Sequence, residues 1–377
     1  MKLEDNAKKP QYIIVNGFLG AGKTTSIASL AARLPHEKIG VITNDEGTTL
    51  TDTADFRSRG LLVQEVTGGA FVTQPEALLT AAESLTRAGC TIIFAECAGT
   101  SANLHQRLLK PVLDRRGATV SVAPLSVVVD ALRAARVLRL LSGGTFSEKL
   151  SYLYRKQIED AQILLLNKCD LVTPAQLNSL RKALGELAPT ATLLEISARN
   201  GSGFDSWINL LSKPHAPLPA QTIAPTDQAL LDEAEALVGW LNCTVTVSTV
   251  KYFDASKLLT NIATAIQSLL RQDGIEVAHL KLLLRAPNES TGAMDTAAIN
   301  LAHGDVAPEL TGAIHEPVQR AELTLNLRAE AKPDLLHTAV NNAVMEIMQQ
   351  APELFARMEH CEHFRPTRSA RTSPALP

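Results

Sequence analysis

The feature that most constrains this sequence is a glycine-rich segment lying between a short apolar run and a helical pattern. The run Tyr12–Asn16 predicts a buried β-strand, and it leads directly into Gly17–Thr25, with the sequence Gly-Phe-Leu-Gly-Ala-Gly-Lys-Thr-Thr. Strand, glycine-rich loop and helix in this order are typical of a phosphate-binding loop. In such a loop the backbone N–H groups and the helix N-terminus face the phosphates. The segment therefore predicts a nucleotide-binding domain.

The residue types of this loop predict individual roles. Lys23 is expected to reach the β- and γ-phosphates, and the Thr24 hydroxyl is expected to ligate Mg²⁺. An accidental glycine-rich turn is the alternative, and the flanking strand and helix patterns disfavour it. The predicted phosphate-binding residues are Gly17, Gly20, Ala21, Gly22, Lys23, Thr24 and Thr25.

A second motif predicts that the bound base is guanine. Asn167-Lys168-Cys169-Asp170 follows the apolar run Ile163–Leu166. Guanine presents two donors, N1–H and the N2 amine, and the Asp170 carboxylate can accept both. The Asn167 amide is expected to meet purine acceptors and to hold the loop, while the Lys168 stem lies over the base. The alternative is an ordinary polar turn.

Further along the chain, Ser197 and Ala198 follow a predicted short strand at Thr192–Ile196. A backbone N–H near Ala198 is expected to donate to the guanine O6 atom. These residue types are generic, so their position after the first two motifs carries the prediction.

Two acidic positions are predicted to lie near the metal ion. Glu96 ends the run Thr91–Glu96, where a carboxylate holds Mg²⁺ or its waters, and the Gly99 N–H is expected to donate to the γ-phosphate. A carboxylate that caps the next helix is the alternative for Glu96. Asp45 follows the predicted strand Ile39–Asn44 and is expected near the metal or the attacking water, with a plain loop as an equal alternative.

Alternation of apolar runs with helical patterns predicts an α/β domain with a mostly parallel sheet over residues 9–212. Proline-rich residues 213–228 predict a linker, residues 229–350 a smaller α+β domain, and residues 351–377 a largely disordered tail. The strands predicted in the first domain are Tyr12–Asn16, Ile39–Asn44, Thr91–Glu96, Val120–Asp130 and Ile163–Asn167.

Charge and cysteine usage bear on partners and compartment. The formal net charge of −3 gives no electrostatic reason to expect nucleic acid or an anionic membrane. No apolar stretch reaches the length that spans a bilayer, and the charged N-terminus lacks the apolar stretch of a secretory signal. Five scattered cysteines argue against a disulfide framework. These features predict a cytoplasmic protein.

Together these motifs resemble the CobW-like branch of the metallochaperone GTPases, whose relatives serve hydrogenase and urease maturation. The resemblance runs from about Ile13 to Leu211 and includes Gly17–Thr25, Glu96–Gly99 and the stretch Ile158–Asp170. It implies a Mg²⁺-dependent GTPase that acts as a chaperone-type switch in metal or metallocofactor insertion. It also implies a client metalloenzyme or cofactor-dependent enzyme, and a nucleotide-dependent homodimer.

The sequence departs from this family at the transition-metal motif. Where the family carries Gly-Gly-Cys-x-Cys-Cys, or Cys-Pro-His in the urease branch, this chain has Gly68-Gly69-Ala70-Phe71-Val72-Thr73. None of these side chains is a thiolate, imidazole or carboxylate, so this stretch is not expected to hold Zn²⁺, Co²⁺ or Ni²⁺.

Two alternatives remain open at the level of sequence. The chain is a direct metal carrier if His360, Cys361 and His363 near the C-terminus bind a transition metal, against the alternative of a solvated polar tail. A P-loop kinase is the other alternative, and it would show no preference for guanine.

Overall fold

The computed structural model describes residues 9–45, 51–116, 121–212 and 225–366, which divide into two compact units. Residues 9–141 and 151–231 form the first unit, and residues 142–150 and 232–366 form the second. None of the helices in these ranges is both long and apolar enough to cross a bilayer.

The first unit contains a parallel sheet in the order β3-β2-β4-β1-β6-β7-β8, with β5 beside β1. Its central strands are almost wholly apolar because both faces are buried. Parallel strands bring their carboxyl ends to one edge. The strands are β1 (Gln11–Asn16), β2 (Ile39–Asp45), β3 (Leu62–Thr67), β4 (Ile92–Glu96), β5 (Ser121–Val122), β6 (Ser126–Asp130), β7 (Ile163–Asn167) and β8 (Thr192–Glu195).

Helices connect these strands, and local sequence explains where some of them begin. At α7 the Thr173 hydroxyl and the Gln176 side chain form a capping box, with Pro174 in the first turn. In α8 the buried Trp207 donates its indole N–H to Ser126 Oγ at 3.0 Å. The helices are α1 (Lys23–Ala31), α2 (Thr51–Ser58), α3 (Pro75–Arg87), α4 (Lys110–Arg116), α5 (Ala131–Val137), α6 (Glu148–Glu159), α7 (Pro174–Leu187) and α8 (Phe204–Leu211).

Two details of the first sheet differ from the sequence prediction. The run 120–130 was predicted as one strand, yet it forms β5 and β6 with Pro124 between them. Proline has no N–H to donate to a neighbouring strand, so the ladder is interrupted there. The sequence analysis did not predict β3, whose polar Gln64 and Glu65 lie at the edge of the sheet.

The second unit contains an antiparallel sheet in the order β12-β11-β10-β13-β9-β14. The elements from the predicted linker onward are α9 (Pro225–Glu235), β9 (Val238–Phe253), α10 (Ala255–Gln272), β10 (Val277–Pro287), β11 (Met294–Leu301), β12 (Glu309–Thr311), β13 (Val318–Glu330), α11 (Pro333–Gln350) and β14 (Phe355–Phe364).

The core of this unit lies between the sheet and its two long helices. Alternate residues of the strands, such as Leu241 and Val245, are buried with the apolar faces of α10 and α11, including Ile262 and Val340. Every second residue of each strand and one face of each helix therefore contribute to the same core. This packing fixes which residues of α11 and β14 lie close to each other.

The structure corrects two predicted boundaries. The predicted linker 213–228 ends inside α9, which begins at Pro225, while residues 213–224 lie outside the described residues. The predicted disordered tail 351–377 contains β14, which pairs with β9. Ala356, Met358 and Cys361 of that strand pack against the core, and this burial stabilises a segment that is otherwise rich in His and Glu.

Candidate functional site

The loop after β1 adopts a conformation that requires glycine. Gly17 has φ +140°, and a Cβ there would lie 2.2 Å from the Val128 carbonyl oxygen. Gly22 has φ +96°, and a Cβ there would lie 2.5 Å from Asn167 Nδ2. Side chains are therefore excluded both by backbone conformation and by the close approach of two other strands' residues. This allows the loop to turn tightly at the edge of the sheet.

Lys23, the first residue of α1, lies inside this loop. Its buried Nζ atom donates to the carbonyl oxygens of Gly17 at 2.8 Å and Phe18 at 3.3 Å. The ammonium charge is thus held among backbone groups at the helix N-terminus. This is the position in which a lysine can serve phosphate oxygens as a donor.

Thr24 and Glu96 bring two oxygen ligands together. The Thr24 hydroxyl donates to Glu96 Oε1 at 2.8 Å, although the residues are far apart in the sequence. Glu96 is buried at the end of β4, and β1 and β4 are paired neighbours. A hydroxyl and a carboxylate form the hard oxygen donor set that Mg²⁺ prefers, so these residues fit the ion.

Side chains from β1 and α6 hold the segment after β4 near the loop. Asn16 Nδ2 donates to the Ser101 carbonyl at 3.1 Å. Gln157 Nε2 donates to the carbonyls of Gly99 at 2.9 Å and Ser101 at 2.8 Å. Gly99 is itself buried, and a Cβ there would meet the Leu19 side chain at 2.6 Å. The predicted γ-phosphate contact therefore lies in a tightly held backbone segment.

Asp160, just after α6, holds the next part of this segment. Its Oδ2 atom accepts the Leu104 N–H at 2.8 Å, and its backbone carbonyl lies 2.9 Å from His105 Nε2. Burial raises the pKa of the Asp160 carboxyl to about 7, while the backbone N–H groups of Leu104 and Asn103 oppose this change. The carboxyl therefore titrates near neutral pH while it holds this backbone.

Asn167 joins three loops. Its Nδ2 atom donates to the Ala21 carbonyl at 2.8 Å, and its Oδ1 atom accepts the Ala198 N–H at 3.0 Å. The predicted role of Asn167 in tying the loops together agrees with these contacts. Both partners are backbone groups, so the Asn167 side chain connects the phosphate loop to the loop after β8.

Lys168 makes a second bridge to the phosphate loop. Its Nζ atom donates to the Gly20 carbonyl at 2.8 Å and lies 2.6 Å from Asp130 Oδ2. Asp130 is buried, and its other oxygen caps α5 by accepting the Arg133 N–H at 3.0 Å. Lys168 also has φ +62°, an uncommon backbone conformation for a lysine. Lys168 adopts this backbone conformation while its side chain contacts Gly20 and Asp130.

The remaining predicted base contacts differ in how the structure uses them. Asp170 lies in a short 3₁₀ turn after β7, with a side-chain oxygen 3.9 Å from an Arg199 nitrogen. Ser197 accepts the Asn200 N–H at 3.4 Å. The Ala198 N–H, predicted to donate to guanine O6, donates to Asn167 Oδ1 instead. In this structure the Ala198 N–H therefore braces the loop, and its contact with the guanine O6 atom stays a prediction.

Two further predicted residues are placed only in part. Asp45 ends β2, two residues beyond Thr43, which pairs with Glu96 in the sheet. The Asp45 side chain and residues 46–50 lie outside the described residues. Thr25, predicted in the phosphate loop, lies in α1 and is exposed.

The stretch Gly68–Thr73 forms a turn held by Asn44. The Asn44 amide donates to the carbonyls of Val66 at 3.1 Å and Gly69 at 2.8 Å, and it accepts the Phe71 N–H at 2.8 Å. Phe71 is fully buried. The buried Phe71 side chain thus lies where the resembling family carries its cysteine motif, and the stretch Gly68–Thr73 contains no cysteine.

A group of potential metal ligands lies instead in the second unit. His337 of α11 and Cys361 and His363 of β14 place one donor atom each within 4.8 Å of one another. This corrects the predicted set His360, Cys361 and His363. His360 is exposed and its Nε2 atom lies 3.9 Å from Glu362 Oε2. We refer to His337, Cys361 and His363 as the His₂Cys cluster.

Cys361 is paired with a second cysteine. It lies directly across from Cys243 of β9 in the sheet. A hydrogen bond with Cys243, together with His337 and His363, lowers the pKa of Cys361 to about 6, although burial opposes this. The same hydrogen bond and burial raise the pKa of Cys243. The two cysteines therefore share one hydrogen bond, and the imidazoles of His337 and His363 favour the charged form of Cys361.

Several of these residues had no role in the sequence analysis. Asp130, Asn44 and Gln157 act through contacts between distant segments, and for Asn44 and Gln157 no local sequence pattern predicts these contacts. His337 lies on a helical face, and only its spatial proximity to Cys361 gives it significance. Asp130 does end the apolar run 126–130, and its place at the carboxyl end of a strand was the available signal.

Comparison with known proteins gives a specific match for the first unit. Residues 11–195 match the sequence model of the CobW/HypB/UreG nucleotide-binding domain. A segment of 57 residues is 44% identical to the zinc chaperone YeiR of Escherichia coli (strain K12), and it covers 15% of this chain and 17% of that protein.

Solved structures give weaker matches. The hydrogenase maturation factor HypB from Archaeoglobus fulgidus is 16% identical with a TM-score of 0.39, over 54% of this chain and 88% of that chain. The Zn(II)-bound YjiA GTPase from E. coli is 13% identical with a TM-score of 0.35, over 89% of this chain and 99% of that chain. With scores this low, neither structure guides the assignment of residues.

Proposed function

We propose that this chain, whose residues 11–195 form a CobW/HypB/UreG nucleotide-binding domain, is a Mg²⁺-dependent GTPase that acts as a chaperone-type switch in metal or metallocofactor insertion. The observation that carries the proposal is the linkage of the phosphate loop to the segments after β4, β7 and β8. Thr24 contacts Glu96, Lys168 contacts Gly20, and Asn167 joins Ala21 to Ala198. A nucleotide held at this edge would bias several loops at once.

The first unit's side chains divide the work of phosphate binding. Lys23, already within the loop, exchanges its backbone acceptors for phosphate oxygens and offsets their charge. The Thr24 hydroxyl and the Glu96 carboxylate hold the Mg²⁺ ion, and Gly99 offers its N–H at the γ-phosphate. Bound Mg²⁺ supplies charge neutralisation on the β- and γ-phosphate oxygens.

Hydrolysis needs a water molecule that is oriented for attack on the γ-phosphate. Asp45 follows β2 at the edge of the sheet where Glu96 also lies, and we assign it to orient this water. In such sites turnover is slow until a partner completes the charge stabilisation. After hydrolysis, the segments near Asp45 and Gly99 lose their contact with the γ-phosphate, which is the order–disorder mode of switching.

Guanine selection is assigned to Asp170, whose carboxylate would accept N1–H and the N2 amine. Xanthine carries a carbonyl where guanine carries that amine, so the Asp170→Asn variant, which can donate there, should prefer xanthosine triphosphate. We expect at least about 100-fold weaker GTP binding and a gain in xanthosine triphosphate binding, measured by calorimetry with Mg²⁺. The gain in one ligand shows that the variant is folded. Unchanged preference for GTP over both ATP and xanthosine triphosphate would rule out this role.

The phosphate assignment has a separate test. Lys23→Ala should reduce GTP affinity by about 100-fold or more, because a charged donor is lost. Glu96→Gln should weaken Mg²⁺ binding, so that GTP binding and turnover need a higher Mg²⁺ concentration to reach half of their maximum. Binding of GDP without Mg²⁺ should stay nearly unchanged. Lys9→Ala, outside the loop, serves as the matched control. GTP turnover at the wild-type rate in Lys23→Ala would overturn the proposed GTPase site.

The role as a chaperone-type switch predicts a nucleotide-dependent interaction with a client metalloenzyme or a cofactor-dependent enzyme, and a homodimer that forms with nucleotide. We expect the apparent mass in light scattering to double with a non-hydrolysable GTP analogue and Mg²⁺. A mass that is independent of nucleotide would remove the homodimer from the proposal. Client identification follows from proteins retained by the analogue-bound chain and released with GDP.

A further inference from the structure

The His₂Cys cluster combines donors from two different elements of the second unit. His337 lies in the first turns of α11, and Cys361 and His363 are two residues apart in β14, on the side of the strand that packs toward that helix. The His337 and His363 rings are stacked with centroids 4.8 Å apart. Their nearness depends on the packing of α11 against the sheet, not on proximity in sequence.

The chemistry of these donors suits a borderline metal ion. Two imidazoles and a thiolate are the ligand types that bind Zn²⁺ and Co²⁺, whereas Mg²⁺ and Ca²⁺ take oxygen ligands. Donor atoms around a tetrahedral zinc ion lie about 3.3–3.7 Å apart, as follows from its bond lengths. The cluster's donors lie within 4.8 Å, so binding requires shifts of about 1 Å. His337 and Cys361 are intermediate in burial and His363 is exposed, which leaves room for such shifts.

The surroundings of the cluster also match a metal site. His363 Nε2 lies 3.1 Å from Asp334 Oδ1, so Nδ1 is the ring nitrogen that remains for a metal ion. Metal-bound histidines commonly have such a carboxylate partner on the second nitrogen. Buried Cys243 lies directly across from Cys361 in the neighbouring strand and is its hydrogen-bond partner.

We propose that His337, Cys361 and His363 bind one transition-metal ion of the Zn²⁺ type, with Asp334 orienting His363 and with the fourth position taken by water. Three protein ligands and one exchangeable position are the arrangement of an open site, in contrast to the closed four-ligand sites of structural zinc. An open site permits transfer of the ion to another protein. The site rests on residues of the second unit alone and does not depend on the proposed GTPase activity.

The test is a Co²⁺ titration of the full-length chain, metal-free and reduced, without nucleotide. We expect one equivalent to bind with a sulfur-to-cobalt charge-transfer absorption and with the strong visible bands of tetrahedral Co²⁺, and Zn²⁺ to displace it. Cys361→Ser should remove the charge-transfer absorption, and His337→Ala and His363→Ala should each weaken binding by about 100-fold or more.

Matched controls separate the cluster from other histidines and thiols. His360→Ala changes the neighbouring residue in the same strand, and Cys90→Ser removes a cysteine of the first unit. Both variants should bind Co²⁺ as the wild type does. Circular dichroism of the metal-free variants checks that they remain folded, and GTP binding is measured on the same samples, so that failure of either site is seen separately.

Three results would overturn the site. The first is absence of tight Co²⁺ binding by the reduced wild-type chain, and the second is binding without a sulfur-to-cobalt absorption. The third is binding that persists unchanged in Cys361→Ser and His337→Ala. Loss of binding in His360→Ala with retention in His337→Ala would return the assignment to the ligand set expected from sequence.

Discussion

The turn at Gly68–Thr73 and the His₂Cys cluster differ in what their side chains are used for. In the turn, the Asn44 amide forms hydrogen bonds with three backbone groups, and the Phe71 ring is fully buried in the core. These side chains therefore hold the fold. In the cluster, the three donor atoms lie within 4.8 Å of one another at a partly exposed position. A metal site therefore needs donor atoms that are not already bonded to backbone groups.

This difference also places nucleotide binding and metal binding in different units. In the proposal, the first unit keeps the nucleotide-binding loops and the turn's geometry, while the second unit supplies the thiolate and imidazole donors. A carrier built this way would bind metal in one unit and nucleotide in the other.

The largest effect is expected from giving the turn the ligands that it lacks. Ala70→Cys, Val72→Cys and Thr73→Cys together restore the family's Cys-x-Cys-Cys pattern, in a Cys361→Ser background that silences the cluster. We expect Zn²⁺ binding to appear at this site with micromolar or better affinity, which is at least about 8 kcal/mol of binding free energy. Competition with a chromogenic chelator measures it. No binding would mean that Asn44 and Phe71 hold the turn in a shape unsuited to metal, so that the turn differs from the cluster in geometry as well as in its lack of thiolates.

The next largest effect concerns stability. Phe71→Ala should destabilise the first unit by about 3–5 kcal/mol, because a fully buried aromatic side chain is removed. Each unit contains one of the chain's two tryptophans, Trp207 and Trp240, so denaturant unfolding of a Trp240→Phe background reports the first unit. His337→Ala in the metal-free chain, read through Trp240, is the counterpart and should cost less than about 1 kcal/mol. Equal costs in the two units would erase the distinction.

A smaller loss is expected at Asn44. Asn44→Ala leaves the Val66 and Gly69 carbonyls and the Phe71 N–H without their amide partner, and should cost about 2 kcal/mol. Asn44→Asp keeps the acceptor for Phe71 but loses the donor, so it should be destabilised as well. The same tryptophan-resolved unfolding measures both variants. If Asn44→Ala unfolds at the wild-type denaturant concentration, the turn is held by Phe71 packing alone.

The smallest effect tests how the cluster is tuned. Asp334→Asn keeps the shape of the side chain but removes the charge next to His363 Nε2, and should weaken Zn²⁺ binding by about tenfold, or about 1.4 kcal/mol. Lys332→Ala, just before the same helix, is the matched surface control. An affinity equal to that of the wild type in Asp334→Asn would remove this carboxylate from the site while leaving the three ligands in place.

The sequence predicted best those elements whose signals are local. The apolar run Ile163–Asn167 forms a strand with the predicted bounds, since its burial pattern is visible within a few residues. The segment β14 was missed because its outward residues are His, Glu and Arg, as in a disordered tail. Its strand conformation comes from pairing with β9 and from partial burial of Cys361 and Met358, which are tertiary effects.

The candidate sites follow the same rule. Gly17, Lys23 and Thr24 could be assigned to a predicted phosphate loop because the motif consists of consecutive residues. Asp130 as the partner of Lys168, and His337 in place of His360, arise from packing between segments that are distant in the chain. A single sequence gives residue types and spacing, and it does not say which helix faces which strand.

The position of β14 at the end of the second sheet's strand order has a consequence for how metal would be sensed. A terminal strand pairs on one flank only, so its amide protons exchange with solvent more readily than those of inner strands. An ion shared between Cys361 and His363 of this strand and His337 of the helix beneath would slow that exchange, by a factor that grows with free metal concentration. The rate of deuterium uptake in β14 would then fall as the concentration of free Zn²⁺ rises.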